Sequence, residues 1–324
     1  MRAVLYDRYG PPEVLRIEEV PTPTPGSGQV LVRVLATSIN LSDWETLVGT
    51  PAYSRIGGLR RPRRRTLGSD IAGCVEAVGD GVTAFEPGDD VYGDNLHLKG
   101  GFAEFAVAPA SALAVKPPGL SFVEASTIPQ AGPIALQGTS GVEPGSRVLI
   151  NGAGGGSGSF AIQLAKRLGA HVTGVDNAAK LEFMRSVGAD AVVDYRTDDL
   201  TRTGERYDLI LDLVAHRSMF ACRRALATGG RYLCVGGTTR ALIRALTVGF
   251  VIGRASGRRM GVLAVKAGPE RFRPLAELVV AGDVAVHVDR TFELEAVPAA
   301  LGHVGDGKAL GKVVVTVGGG HARG

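Results

Sequence analysis

One stretch limits the folds open to this chain more than any other: Val148-Leu149-Ile150-Asn151-Gly152-Ala153-Gly154-Gly155-Gly156-Ser157-Gly158-Ser159-Phe160. A short apolar run enters it and glycines turn the chain. Phe160, Leu164 and Leu168, with Ala161 and Ala165, then recur at helical spacing. A strand that turns through glycine into a helix lets the backbone approach a diphosphate. Small residues clear the space, the N–H groups of Gly154, Gly155, Gly156, Ser157 and Gly158 meet the oxygens, and the helix N-terminus favours negative charge. The pattern G-x-G-x-x-G is shifted here to Ala153-x-Gly155-x-x-Gly158, and a glycine string alone is weak evidence, with a bare turn as the alternative. Context argues for a dinucleotide. The next apolar run, His171 to Val175, ends at Asp176, whose carboxylate suits both ribose hydroxyls. That carboxylate repels a 2′-phosphate and tips the balance towards NADH. Lys180 and Tyr195 lean towards NADPH, since both can reach a phosphate near the adenosine.

From Arg147 onward strand and helix alternate. Ala191 to Val193, Leu209 to Leu211 and Tyr232 to Val235 read as further strands, and Leu181, Met184 and Val187 mark a helix. Such repeats predict an α/β domain, a doubly wound parallel sheet covered on both faces. The first ~120 residues read instead as short strands separated by turn clusters such as Glu86-Pro87-Gly88-Asp89. Ser121-Phe122-Val123-Glu124 is a capping box where the rhythm changes. The expected division is therefore 123–267 for the dinucleotide domain, with 1–122 and 268–324 forming a strand-rich domain. After Pro269 one helix, Arg273 to Val280, and two strands are expected, the last over Lys312 to Val317. The tail Gly318 to Gly324 is expected to be disordered.

Other classes are disfavoured. Lys and Arg number 36 against 32 Asp and Glu, a mild excess without the basic stripes of a nucleic-acid binder. Cys74, Cys222 and Cys234 are scattered and odd in number, so no disulfide framework follows. The N-terminus lacks a signal-peptide pattern, and the longest apolar run, Ala245 to Gly253, is too short to span a bilayer. A cytoplasmic location is the expectation.

The whole chain resembles the medium-chain dehydrogenase/reductase family. Gly68-Ser69-Asp70-Ile71-Ala72-Gly73 and Pro87-Gly88-Asp89-x-Val91-x-Gly93 carry the family pattern. Tyr6-Asp7-Arg8-Tyr9-Gly10-Pro11-Pro12-Glu13-Val14-Leu15, Gly101-Phe102-Ala103-Glu104-Phe105 and Gly311-Lys312-Val313-Val314 resemble its zinc-independent quinone oxidoreductase (zeta-crystallin-like) branch. The resemblance implies a GroES-like catalytic domain, an inserted Rossmann domain and a homodimer. Zinc members carry C-x-[ST]-D and G-H-E strings. This chain has Asn40-Leu41-Ser42-Asp43 and Gly68-Ser69-Asp70 instead, and Asn40 and Ser69 are poor zinc ligands. No zinc is therefore expected. Two departures bear on the cofactor path: Ile134-Ala135 stands where relatives have Thr-Ala, and Val214-Ala215 where they have Val-Gly.

A site without a metal suits acceptors that are already electrophilic, quinones or α,β-unsaturated carbonyls, and needs a hydrogen-bond donor for the growing oxyanion. By the resemblance, Asn40 takes the position of the zinc cysteine and offers its amide. Asp43 is a loop-fixing residue or a site member, and Tyr53 a proton donor or a loop packer. His97 and Lys99 are a proton relay or, more simply, solvated loop residues. Val214, Val235, Gly236 and Gly237 are expected along the nicotinamide, and Lys312 at the cofactor or the substrate pocket. The basic run Arg60 to Arg65 is a solvated loop or an anion-docking patch. Two other functions remain open on the same fold: an enoyl reductase or non-redox cyclase of a biosynthetic pathway, and a catalytically silent dinucleotide-binding sensor or structural protein.

Overall fold

A computed structural model describes residues 1–56, 58–202 and 204–318. The chain forms two compact units, Met1–Gly132 with Ala267–Gly324, and Pro133–Lys266. The boundary thus falls after Gly132, not after residue 122. The capping box forms as expected, Ser121 Oγ accepting from Glu124 N and Glu124 Oε2 from Ser121 N, but the short helix it opens, Phe122–Thr127, packs on the sheet of the first unit.

In the first unit the strand Gln29–Ile39 is central and nearly all buried, so it reads as an apolar run rather than an alternating one. Asp70–Val78 and Lys312–Thr316 flank it antiparallel. Asp90–Asp94 and Leu113–Val115 continue one side, Val288–Glu293 the other, and Phe105–Pro109 pairs with the central strand's first half. Val30, Val32, Val34, Ile71, Val91 and Val315 form the core with Phe102 and Leu301. The register has one consequence for chemistry: Val313 lies opposite Ile39, Ser38 opposite Asp70, and Asp70 opposite Asp94. Polar residues from distant parts of the chain thereby share one end of the sheet. The C-terminal stretch holds two helices, Pro269–Val280 and Val297–Gly305, where one was expected. Residues 319–324 of the tail expected to be disordered lie outside the described residues.

The second unit is a six-stranded parallel sheet in the order Ala191–Asp194, His171–Asp176, Arg147–Asn151, Tyr207–Asp212, Leu226–Cys234 and Arg259–Val262. In chain order this is 3-2-1-4-5-6, the Rossmann arrangement, with its switch point between Arg147–Asn151 and Tyr207–Asp212. Leu149, Val175, Ile210 and Tyr232 are buried in its core. Ligands of such sheets bind beyond the strands' carboxyl ends at the switch point, where Asn151, Asp176, Asp212 and Cys234 stand.

Candidate functional site

In the second unit the glycine turn is built for close approach. Gly152 has φ +84°, a conformation that favours glycine. A Cβ on Gly158 would stand 2.4 Å from the Gly152 carbonyl oxygen and 2.6 Å from Ala153 Cα, so only glycine lets the helix Gly156–Arg167 pack this tightly. A Cβ on Gly155 would meet only the Gly152 oxygen at 3.5 Å, so that flank of the turn is open. The helix begins there without a side-chain cap, leaving its first N–H groups and its dipole for an anion.

Asp176 ends its strand buried, with Oδ2 accepting from Gly154 N (3.1 Å) and Oδ1 from Asn177 N (2.9 Å). Lys180, also buried, places Nζ 3.7 Å from Asp176 Oδ2. The two residues that argued for opposite cofactors are thus one ion pair beside the turn. Tyr195 is half-exposed beneath the Arg196 guanidinium. On the other side of the switch point, Asp212 Oδ1 accepts from Asn151 Nδ2 (2.8 Å), Val214 N (3.1 Å) and Ala215 N (2.7 Å), and Oδ2 from the Tyr232 hydroxyl (2.9 Å). This network holds Ala215 at φ +54°, the left-handed region that favours glycine. Gly236 and Gly237, just after Val235, also have positive φ, +76° and +97°.

The first unit carries the second half of the candidate set. Asn40 caps the helix Leu41–Val48 with Asp43 in a capping box, Asp43 Oδ2 accepting from Asn40 N at 3.0 Å. The Asn40 carboxamide reaches across the sheet end: Nδ2 donates to Asp70 Oδ2 (2.8 Å) and lies 3.5 Å from Ser69 Oγ, while Oδ1 accepts from Lys312 Nζ (2.8 Å). Ser38 Oγ also donates to Asp70 Oδ2. Lys99 Nζ lies 3.5 Å from Asp43 Oδ1. Asp43 and Asp70 are fully buried, and Lys312 is 2% exposed. Burial holds the Asp70 and Asp94 carboxyls above the usual carboxylate range, opposed chiefly by Lys312 and Lys99 respectively, and burial pulls the Lys312 ammonium down.

Lys312 lies in the interior of the first unit, hydrogen-bonded to Asn40 and 3.6 Å from Asp70. Two expectations are corrected here. Lys99 is not a solvated loop residue. It is buried at φ +61° with its ammonium turned to Asp43, while His97 stays exposed. The basic run is not uniformly free either, since Arg65 Nε pairs with Asp7 (2.6 Å). Gly57, beside that run, lies outside the described residues. Tyr53 directs its hydroxyl to Glu45 Oε2 at 3.3 Å, and burial holds that hydroxyl above the usual range. The sequence reading singled out neither Asp94 nor Asp212. Among the described residues no group of three or more His, Cys, Asp and Glu side chains converges as a metal-binding set.

Three family models match the chain. Residues 26–118 match the alcohol dehydrogenase GroES-like domain, 124–215 the alanine dehydrogenase/PNT C-terminal domain, and 187–315 a zinc-binding dehydrogenase domain. The chain is 32% identical to the chloroplastic quinone-oxidoreductase QR1 of Triphysaria versicolor, over 97% of this chain and 98% of that protein. It is 31% identical to the chloroplast envelope quinone oxidoreductase homolog of Arabidopsis thaliana, with the same coverage. The solved quinone oxidoreductase of Coxiella burnetii superposes with a TM-score of 0.88 at 29% identity, covering 98% of this chain and 99% of that one.

Proposed function

The chain belongs to the medium-chain dehydrogenase/reductase family, of quinone oxidoreductase type, and from that premise we propose that it reduces a quinone or an α,β-unsaturated carbonyl with NAD(P)H. The observation that carries this reading is that each unit builds one feature: a glycine turn that excludes any Cβ at Gly158, and a buried carboxamide, Asn40, held by charged partners. The turn and the open helix N-terminus fit a diphosphate, and Asp176 at the end of its strand fits the adenosine ribose. Bound NAD(P)H supplies the hydride. Asn40 donates a hydrogen bond to the acceptor's carbonyl oxygen as negative charge grows there. Val214, Val235, Gly236 and Gly237 line the nicotinamide path in this reading, and Asp43 positions Asn40 by capping its helix. Tyr53 is proposed only for the rim, since its hydroxyl already meets Glu45.

We also propose that the site works without zinc. Asn40 and Ser69 are weak donors to that ion. The Lys312 ammonium already stands against Asn40 and Asp70, and a second cation beside it would be repelled. NADH keeps its slight preference because the Asp176 carboxylate is held by Gly154 and Asn177. The Lys180 partner narrows that preference by offsetting the charge. All three cysteines are free, which suits a reducing, cytoplasmic setting, and no helix among the described residues is long and apolar enough to cross a membrane.

A homodimer completes the reading. In the helical stretch Thr239–Ala255 the small residues Ala245, Gly249 and Gly253 face inward, while Ile243, Leu246, Phe250 and Val251 are more than half exposed. This reverses the usual surface helix, and a second copy of the chain is the occupant we propose for the outward apolar face.

The test is absorbance decay of NADH and of NADPH with 1,4-benzoquinone, with a simple enone and with an enoyl thioester. Decay with the quinone or the enone is expected. Tight coenzyme binding without decay would favour the silent sensor, and decay only with an enoyl thioester would favour a biosynthetic enoyl reductase.

A further inference from the structure

The Asn40 carboxamide is gripped from two sides, and the chemistry of the grips fixes its orientation. An ammonium only donates, so the amide oxygen must face Lys312 Nζ, 2.8 Å away. The NH₂ group must then face Asp70 Oδ2, also 2.8 Å away. One amide hydrogen goes to Asp70. For the other the closest acceptor in the cluster is Ser69 Oγ at 3.5 Å, the outer limit of a hydrogen bond. Asn40 therefore keeps one strong donor without a strong partner, and at 8% it is more exposed than either Asp70 or Lys312.

A cation on an amide oxygen draws electron density through the N–C–O system, and this makes the remaining N–H a better donor. Such polarisation is stronger where water is excluded, as it is around a lysine 2% exposed. We propose that Lys312, acting through the Asn40 amide, is the internal cation that stabilises the charge growing on the acceptor's oxygen. Lys312 is a positioning residue and does not touch the acceptor. As the acceptor gains hydride at carbon, an electron pair moves onto its oxygen, and a proton from water completes the product. The proposal rests on the reading that Asn40 donates to that oxygen.

The other charges of the cluster set how far the ammonium is offset. Asp70 lies 3.6 Å from Lys312, Asp43 and Asp94 bear on it from the helix Leu41–Val48 and the strand Asp90–Asp94, and Lys99 answers Asp43. The raised Asp70 and Asp94 carboxyls, each with an Oδ1 that no hydrogen bond reaches, weaken that offset.

4-Nitrophenol tests this, because its phenolate carries the anionic oxygen and its colour reports ionisation. Full-length protein is titrated with the probe at a fixed, saturating NADP⁺ concentration. The wild type should ionise the bound probe about one pH unit below the free probe, a tenfold preference for the anion. Lys312→Met should lose that shift, and Lys312→Arg, which keeps a cation, should retain part of it. Lys312→Met leaves a buried Asp70 unpaired and can unfold the protein, so Lys312→Met with Asp70→Asn removes both charges together. This pair should also lose the shift. A full wild-type shift in either folded variant overturns the role of Lys312 alone. No shift in the wild type, or a shift kept by Asn40→Ala, means that the acceptor oxygen does not lie at Asn40, and the reading beneath the proposal falls with it.

Discussion

Ala215 is the plainest case of one residue working against its own backbone. Its φ of +54° costs an alanine about 1–2 kcal/mol, and the Asp212 hydrogen bond to its N–H holds it there. Ala215→Gly removes that strain but gives the unfolded chain about 0.5–1 kcal/mol more entropy. The net expected is a stabilisation of about 0.5 kcal/mol in urea unfolding, where the same change at an ordinary position destabilises. Asp94 makes the pH case. Its folded pKa is raised, so the native state holds the proton more tightly than the unfolded chain. The stability this contributes is complete below the unfolded value near 4 and is lost as pH rises through the folded one. Asp94→Asn escapes that loss, so its unfolding free energy should gain on the wild type between pH 4 and pH 8, by on the order of 3 kcal/mol in urea unfolding. A constant difference across that range would contradict the assignment. The places of the turn glycines and of Asp176 were legible because they are set locally, by a strand before and a helix after. Lys312 and Lys99 were not. Their partners lie 272 and 56 residues away, and only the folded first unit brings them together.

At the scale of elements, the capping box Ser121 to Glu124 and the strand–turn–helix around Gly152 were readable because both are set by contacts within a few residues. The helix Val297–Gly305 was hidden. Pro298 reads as a breaker, yet it stands in the first turn, where the missing N–H is no loss. The helix proposed to receive the diphosphate depends on Gly158. Gly158→Ala drives a Cβ to 2.4 Å from the Gly152 carbonyl oxygen, a contact that backbone atoms must yield to. The expected cost is about 1–3 kcal/mol of stability, with coenzyme affinity in calorimetry reduced at least tenfold. Unchanged affinity in a folded variant would show that the turn does not seat the cofactor. In the apolar run Ala245 to Gly253 the smallest residues, Ala245, Gly249 and Gly253, are the buried ones, and the larger Leu246, Phe250 and Val251 face outward.

For the whole molecule, alternation of strand and helix carried the α/β class and the parallel sheet, and the doubly wound order follows from right-handed crossovers. The exact division of the chain did not follow, because the short helix Phe122–Thr127 looks like the opening of the second unit yet packs on the first. Assembly belongs at this scale. If the outward face of Thr239–Ala255 meets a second copy, Leu246→Glu with Phe250→Glu should convert a dimer to a monomer in size-exclusion chromatography with light scattering. A dimer that survives both changes would put the interface elsewhere. The most direct measurement of the central claim is NADPH and NADH oxidation by purified protein with 1,4-benzoquinone, before and after exhaustive chelation, with zinc counted in the same sample. Turnover undiminished at well under one zinc per chain is the predicted result. Turnover that tracks bound zinc, or a protein that binds neither coenzyme, would contradict it.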